Sequence, residues 1–258
     1  EVRYFKDGSG NSINTSVITL ADFWCDGLEP YIFMQGKKYS LVTKDTIGGE
    51  AAHYGIAGFE ELTSIRFYDG RPDQITDAKL VSDTAGLGSV WDENARGVNQ
   101  CYVIFERKYS SKWEFDPQPT WVLRGLRCYD PRKDSTVSGG SGFHRLDDPA
   151  TWEYSENPAL QRLTFLIGLK GPRSGRTIVG MGKTLSQIDL NAHIAAANIA
   201  DQERAGQTQT VKTYHCNMFA ASDDDFSEVL ATIDDSMAGF SVNKGGIASV
   251  IAGAPRIP

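Results

Sequence analysis

The stretch that decides the fold is Leu62-Thr63-Ser64-Ile65-Arg66-Phe67-Tyr68, followed directly by Asp69-Gly70. It is rich in β-branched and aromatic residues and ends in a turn pair, which predicts a β-strand. Helix signals are nearly absent on either side of it, so we predict a β-rich module over residues 1–133. Similar short apolar runs recur at Ser16–Leu20, Tyr31–Met34, Tyr39–Val42, Cys101–Phe105 and Trp121–Leu123.

The composition changes after this module. Residues 135–142 are Ser-Thr-Val-Ser-Gly-Gly-Ser-Gly, which have too little apolar content to pack. Ser and Gly at this density are typical of exposed loops. We therefore expect a loop and linker over 134–157 and place the module boundary there.

The first of three predicted helices follows this loop. Asn157-Pro158 supplies an N-cap and a proline at the first helical position, and Gly168 can stop the helix in a left-handed conformation. Between them the apolar residues have helical spacing, at Ala159, Leu160, Leu163, Leu166 and Ile167.

Two further helices are indicated by capping boxes. Ser186 with Asp189 precedes one of them, and Ser222 with Asp225 precedes the other, which we expect to end at Gly239. The predicted buried faces are Ala192, Ala195, Ala196 and Ile199 in the first, and Phe226, Val229, Leu230, Ile233 and Met237 in the second.

The remaining apolar runs of the second half predict strands. Thr210–Phe219 is one, and Phe240–Val242 with Ile247–Ile251 form a hairpin around residues 243–246. The predicted fold class is α+β, with the β-rich module followed by a smaller α+β module over 158–258 that contains three helices and a β-hairpin.

Composition excludes several classes of protein. The 258 residues include 26 basic and 33 acidic ones, and the counts through Lys133 are 16 and 19. Neither half is therefore a basic nucleic-acid arm. No apolar run is long enough to cross a bilayer, and we predict no membrane span. The chain begins at Glu1 without an initiator Met, and we expect it to be a piece of a longer chain.

The four cysteines are far apart in the sequence, with no C-x-x-C pair. Two disulfides are compatible with this spacing. We expect instead that the cysteines are reduced and act mostly as small core residues, at Cys25, Cys101, Cys128 and Cys216.

Two glycine-rich motifs fail on spacing. Residues 180–184, Gly-Met-Gly-Lys-Thr, lack the glycine that a phosphate-binding loop needs at position 177 and are interpreted as a turn. Residues 139–143, Gly-Gly-Ser-Gly-Phe, have Phe143 where a nucleophile elbow needs glycine.

The acidic, histidine and tryptophan residues are assigned no catalytic, cofactor-binding or metal-binding role. We interpret Asp223–Asp225 as helix capping, and a solvated loop is favoured over an acid and base pair for Asp147, Asp148, Glu153 and Glu156. The histidines, His53, His144, His193 and His215, share no ligand spacing. Core packing is favoured over sugar stacking for Trp91, Trp113, Trp121 and Trp152.

Two segments in this order carry a resemblance. Residues 124–132 are Arg-Gly-Leu-Arg-Cys-Tyr-Asp-Pro-Arg, and residues 151–160 are Thr-Trp-Glu-Tyr-Ser-Glu-Asn-Pro-Ala-Leu. With the Gly180–Gly182 turn and the helix around Ala195–Asp201, the chain resembles the host-specificity (J-type) tail tip proteins and central tail hub proteins of long-tailed phages. The resemblance extends over about residues 16–254.

The resemblance implies a structural virion protein and not an enzyme. Such a hub has tube-like β modules, forms a homotrimeric ring at the tail tip or baseplate and closes the tail tube. The implied partners are other copies of the chain and the tail tube, distal tail and tape-measure proteins, and DNA passes through without specific binding. Assembly would take place in the bacterial cytoplasm. The alternative that we weigh is a carbohydrate- or receptor-binding module of a tail adhesin.

Overall fold

The computed structural model describes residues 2–6, 12–45, 51–85, 91–113, 118–171, 175–206, 209–221 and 223–253, without the side chains of 2–6 and 12–14. The chain divides into two compact units, Glu1–Leu126 and Arg127–Pro258. The segment 134–157, which the sequence predicts as loop and linker, belongs to the second unit.

In the described residues, the first unit is an eight-stranded antiparallel sheet with one short α-helix. The sheet order is β1-β2-β7-β6-β5-β4-β3-β8, and all six strands predicted from the sequence are present. Three elements are additional to the prediction, the strands Val2–Lys6 and Ala52–Ile56 and the helix Ala78–Thr84. The elements are β1 (Val2–Lys6), β2 (Ser12–Ala21), β3 (Gly27–Met34), β4 (Lys37–Thr43), β5 (Ala52–Ile56), β6 (Thr63–Tyr68), α1 (Ala78–Thr84), β7 (Cys101–Arg107) and β8 (Thr120–Arg124).

The sheet curls into a nearly closed, barrel-like form. Phe105 of β7 and Trp121 of β8 have ring centroids 5.9 Å apart, although β8 lies at the end of the sheet, five strands away from β7. The inward side chains form one apolar cluster that draws on strands along the sheet, including Ile32, Met34, Ile56, Ile65, Phe67, Val103 and Phe105.

Strand β7 is apolar on both faces because both faces are covered. Val103 and Phe105 lie in the interior cluster. Tyr102 and Ile104 belong to a second cluster that includes Leu80 of α1. This double burial explains why Cys101–Phe105 is a continuous apolar run instead of an alternating one.

The prediction that the cysteines are reduced is wrong for one pair. Cys25, just before β3, forms a disulfide with Cys101 at the start of β7, and their Cα atoms are 6.2 Å apart. Strands β3 and β7 are four positions apart in the sheet, so the bond joins parts of the barrel that meet only because the sheet curls. The sequence could not indicate this pairing, since 76 residues separate the two cysteines. Cys128 and Cys216 form no disulfide and are buried, as predicted.

Opening the disulfide should destabilise the first unit. In the chain-entropy description, closing a loop of this length stabilises the folded state by about 4 to 5 kcal/mol. We expect urea unfolding of this unit to shift to lower concentration in a strong reductant. The double variant Cys25→Ala and Cys101→Ala should match the reduced wild type and lose its response to reductant. An unchanged wild-type midpoint in reductant would contradict the crosslink.

The second unit combines three helices with four two-stranded antiparallel ribbons. They are β9 (Arg127–Cys128) with β10 (Glu153–Tyr154), α2 (Pro158–Ile167), β11 (Leu169–Lys170) with β12 (Thr177–Val179), α3 (Leu190–Ala200), β13 (Glu203–Ala205) with β14 (Thr210–Lys212), α4 (Phe226–Ser236), and β15 (Phe240–Lys244) with β16 (Ile247–Ile251). Together with the first unit this is the β-rich α+β fold that the sequence predicts.

Helix α2 has the predicted bounds and lies at the centre of this unit. The Asn157 side chain accepts a hydrogen bond from the Ala159 N–H at 3.1 Å and donates to the Ala197 carbonyl of α3 at 3.0 Å. Gly168 ends the helix at φ +75°. The helix contributes to both apolar clusters of the unit, Ala159 and Leu160 to one and Leu163 and Leu166 to the other.

Helix α3 begins later and buries a different face than predicted. Its N-cap is Asp189, whose carboxylate accepts from the Ala192 N–H at 3.1 Å, while Ser186 lies in a preceding 3₁₀ turn. The buried side chains are His193, Ala196, Ala197 and Ala200. A helix that is alanine-rich all round has no strong polar face to fix its rotation, and the buried partners of His193 decide it instead.

Helix α4 and the neighbouring strands also differ in detail. Its N-cap is Asp225, three residues after the predicted Ser222, which lies outside the described residues. Ala238 at φ +48° takes the left-handed position that we expected at Gly239. The strand predicted over Thr210–Phe219 is only Thr210–Lys212, whereas the hairpin of β15 and β16 is confirmed, with Gly245–Gly246 as its turn.

The serine- and glycine-rich segment is organised around a buried carboxylate. Asp134 accepts hydrogen bonds from the Thr136 N–H at 2.8 Å, the Tyr129 hydroxyl at 2.7 Å and Arg145 at 3.2 Å. Burial alone would raise the pKa of Asp134, but these hydrogen bonds hold it below its usual range. Residues 135–143 are mostly exposed, as predicted, but both ends of the segment are anchored.

Truncation of a buried leucine in α2 tests the helix assignment. Leu163 is fully buried, so Leu163→Ala should cost about 2 to 5 kcal/mol of unfolding free energy, through lost contacts and the cavity left behind. Leu230 of α4 is only partly buried, and Leu230→Ala should cost less. Chemical denaturation of both variants measures this difference, and equal costs would contradict the packing.

Candidate functional site

A cleft of about 400 Å³ in the second unit is the candidate site. The ribbon of β9 and β10 supplies one part of its wall, the turn after β9 another, and the end of α3 with β14 a third. Seven charged side chains line it, together with apolar surface from Cys128, Tyr154 and Leu160. The charged set is Asp130, Arg132, Lys133, Glu153, Glu156, Asp201 and Lys212.

His144 lines this cleft and is almost completely buried. Its Nδ1 accepts a hydrogen bond from the Asp130 backbone N–H at 3.2 Å. The ring is neutral at physiological pH, because burial, helped by the charge of Lys133, lowers the pKa of His144. A neutral ring that accepts at Nδ1 carries its proton at Nε2. That Nε2 is buried and has no hydrogen-bond partner among the described residues.

Charges of opposite sign alternate along one side of the cleft. Arg132 donates to Asp130 at 2.8 Å and to Asp201 at 2.8 Å, and Lys212 donates to Asp201 at 2.7 Å. Burial opposes the charge of Asp201, but the hydrogen bonds from Lys212 and Arg132 outweigh it and lower the pKa of Asp201. The charged groups on this side of the cleft are therefore bound to one another.

A separate ion pair, between Lys133 and Glu153, lies on the other side of the cleft. The hydrogen bond from Lys133 lowers the pKa of Glu153. Both side chains are about half exposed, at 51% and 47%, so this pair can move more easily than the buried groups behind it.

The chemistry of these residues favours binding over bond breaking. Burial raises the pKa of Cys128 to about 12, so its thiol stays protonated and is a weak nucleophile. His144 carries its proton at Nε2 and uses Nδ1 for Asp130, so it is a hydrogen-bond donor rather than a general base. What the cleft offers a ligand is one neutral donor surrounded by paired charges.

Of the four carboxylates that we weighed as an acid and base pair, the fold brings Glu153 and Glu156 to the cleft and leaves Asp147 and Asp148 outside it. Glu153 and Glu156 line the cleft, and Glu156 is bonded to Tyr154 and Asn217 at 3.3 and 3.2 Å. Asp148 caps a 3₁₀ turn through the Ala150 N–H at 3.1 Å, and Asp147 is exposed outside the cleft. No sequence signal marked His144, because its role depends on a backbone group 14 residues away.

The four tryptophans considered for sugar stacking are engaged with other side chains. Trp152 is buried and donates to the Arg145 carbonyl at 2.7 Å, and Trp113 stacks on Phe59 at 4.2 Å. Trp91 and Trp121 contact Tyr102 and Phe105. The packing interpretation accounts for all four.

A second group of ionisable residues in this unit is fully buried and satisfied. Arg162 of α2 donates to Asp234 of α4, to His193 of α3 and to Ser241 of β15, each at 2.8 Å. The Ser241 hydroxyl donates to Asp234 at 2.6 Å, and His193 Nδ1 is 2.8 Å from the Asp189 carbonyl oxygen. Serine, histidine and aspartate meet here, but the serine contacts the aspartate and not the histidine, so no nucleophile is activated.

Two smaller motifs have structural roles. Gly180 and Gly182 have φ of +83° and +68°, and the Met181 N–H donates to the Phe165 carbonyl at 2.8 Å, which agrees with a turn. In the acidic segment, Asp225 caps α4 and Asp224 accepts from the Ala221 N–H at 2.6 Å.

A cleft of about 470 Å³ in the first unit is a weaker candidate. Lys44 donates to the Glu60 and Thr63 carbonyls at 2.9 and 3.0 Å, and Lys79 pairs with Glu106 at 3.2 Å. His53 Nε2 is 2.9 Å from the Ser64 hydroxyl. These polar groups are occupied within the chain, in contrast to His144.

No group of three His, Cys, Asp or Glu side chains in the described part of the chain is arranged to hold a metal ion. Within the same residues, no helix has the length and apolar character needed to cross a membrane. No known family model matches the chain, and no curated protein is significantly similar to it.

The buried histidine of α3 should make stability depend on pH. Burial lowers the pKa of His193 to about 4, from about 6.5 in the unfolded chain. The unfolded state therefore binds the proton first. Stability is complete above pH 6.5 and should fall by up to about 3 kcal/mol as the pH drops to 4.

Denaturation midpoints between pH 7.5 and 4 measure this loss. His193→Gln keeps an acceptor for Arg162 but does not titrate, so its midpoint should depend less on pH than that of the wild type. The control His215→Gln changes an exposed histidine and should keep the wild-type dependence. Equal pH dependence in His193→Gln and wild type would contradict the assignment.

Proposed function

We propose that this chain is a structural subunit of a phage tail tip, a hub that closes the tail tube and organises the assembly of the tip. The proposal rests on the resemblance of residues 124–132 and 151–160, and of the segments that follow them, to tail tip and hub proteins. It places the chain in the virion, after assembly in the bacterial cytoplasm.

The observation that carries the proposal is that these two segments pack against each other. Cys128 pairs with Glu153, and Arg127 pairs with Tyr154, as β9 and β10. The rings of Tyr129 and Trp152 lie 5.8 Å apart, and the Tyr129 N–H donates to Thr164 of α2 at 3.0 Å. Residues that carry the resemblance thus build the framework of the second unit, as expected where the function is architectural.

The first unit supports the same proposal more generally. A nearly closed, barrel-like antiparallel sheet is compatible with the tube-like modules expected in a hub. Assembly around a tube requires a rigid subunit, and the doubly buried strand β7 favours rigidity. The proposed partners are other copies of this chain, as a homotrimer, and the tube, distal tail and tape-measure proteins.

DNA would pass this ring during infection without being held. Each phosphate neutralised by a basic side chain adds affinity, so a basic passage would retain the genome. The formal net charge of the chain is −7, which disfavours such retention.

A hub subunit should form trimers and bind DNA only weakly. Sedimentation or native mass measurement over a range of concentrations should show monomers and trimers. Salt-titrated mobility shifts should give a DNA dissociation constant no tighter than about 10⁻⁴ to 10⁻⁶ M at physiological salt. A stable even-numbered oligomer, or tight DNA binding, would overturn the proposal.

The location in the particle is tested separately. Antibodies against this chain should label the tail tip in electron micrographs of the parent phage, with antibodies against the capsid as a control. Labelling of the head or the tail shaft would refute the proposed position.

A further inference from the structure

The cleft around His144 contains a donor that the chain itself does not use. Nε2 carries a proton, is shielded from solvent and has no partner among the described residues. Leaving a buried N–H unpaired is unfavourable, so a group that accepts its hydrogen bond is favoured there. The other buried histidine of this unit, His193, has partners for both ring nitrogens.

The groups beside this donor restrict what can accept from it. Glu153 lines the same cleft, and its charge acts on the His144 ring. Four carboxylates and three cationic side chains line the cleft. The net negative charge of this wall repels an anionic ligand, and the N–H of His144 disfavours a cationic one. A hydroxyl group accepts from His144 and donates to Glu153 at once, which suits both neighbours.

Size and polarity restrict the ligand further. A volume of about 400 Å³ lies in the range of small-molecule sites. Beside the charged groups, the wall has apolar surface from Cys128, Tyr154 and Leu160, against which the C–H groups of a small ligand can pack. Several hydroxyls on one compact molecule match the many acceptors of the wall better than a peptide does.

We propose that this cleft binds a neutral polyhydroxylated molecule of mono- to disaccharide size. One hydroxyl accepts from His144 Nε2–H and donates to Glu153. Because Nε2 is closed to solvent in the free chain, the half-exposed Lys133–Glu153 pair opens to admit the ligand. The proposal does not depend on the structural role proposed above.

The test is a nuclear magnetic resonance titration of the uniformly labelled full chain, which follows the histidine side chains and, for variants without His144, the backbone amides of the cleft residues. Glucose, N-acetylglucosamine and maltose are the probes, and acetate, inorganic phosphate and a short uncharged peptide are the comparisons. At least one sugar should shift the His144 resonances saturably, with a dissociation constant of about 1 mM, as expected for a ligand of this size.

Two variants locate the binding, and a third controls for charge. His144→Asn keeps an acceptor near the Nδ1 position for Asp130 but removes the Nε2 donor, and Glu153→Gln keeps the shape but removes the charged acceptor. Each should weaken sugar binding by about tenfold or more. Asp147→Asn removes an equal charge outside the cleft and should change the affinity by less than about twofold.

If His144→Asn does not fold, the half-exposed Glu153→Gln still decides the question. Tighter binding of phosphate, acetate or the peptide than of every sugar would overturn the ligand class. Absence of a saturable His144 shift with all three sugars would mean that solvent alone occupies the cleft, and would overturn the site. If Asp147→Asn weakened sugar binding as much as Glu153→Gln does, charge and not the cleft would govern binding, and the proposed site would be wrong.

Discussion

Each compact unit depends on one arginine whose guanidinium is removed from solvent. In the first unit Arg66 of β6 is held by Asp77 at 2.6 Å, and Asp77 also caps α1 and accepts from Tyr68 at 2.7 Å. In the second unit Arg162 of α2 is held by Asp234 of α4. A buried charge that loses its partner costs about 3 to 5 kcal/mol, so these pairs fix which elements can lie side by side. The position of α1 on the outside of the sheet and the arrangement of α2, α3 and α4 both follow from these ion pairs.

The elements with strong local signals could be predicted from the sequence, and those that depend on distant partners could not. Strands such as β6 and β7, the Asn157 cap and the Gly245–Gly246 hairpin turn each depend on neighbouring residues. Strand β5 is short and contains Ala52 and Gly55, which have low strand propensity, and its position is decided by pairing with β4 and β6. The buried face of α3 and the Cys25–Cys101 bond are decided by contacts with residues far away in the sequence.

The candidate site shows the same division. Asp130, Arg132 and Glu153 could be singled out because they belong to the segments that carry the resemblance, and each is ion-paired, Arg132 with Asp130 and Glu153 with Lys133. His144 lies in a stretch without any motif, and its unpaired Nε2 results from the fold of residues 134–148 around Asp134. Nearly all buried polar groups of a folded protein have a hydrogen-bond partner. The unpaired Nε2 of His144 in the cleft therefore indicates where a ligand can bind.

The order of the strands also affects how the first unit can fold while the chain is being synthesised. Thr15 of β2 pairs with Glu106 of β7, and Ile32 of β3 pairs with Trp121 of β8. A ribosome adds roughly 5 to 20 residues per second, so about 5 to 18 s pass before β2 meets β7. During that interval one edge of β2 and one edge of β3 are unpaired, and such edges favour aggregation. The first unit is therefore exposed to chaperones and misassembly longer than a sheet of sequential hairpins would be, and its folding should be slow, as is usual where contacts are distant in sequence.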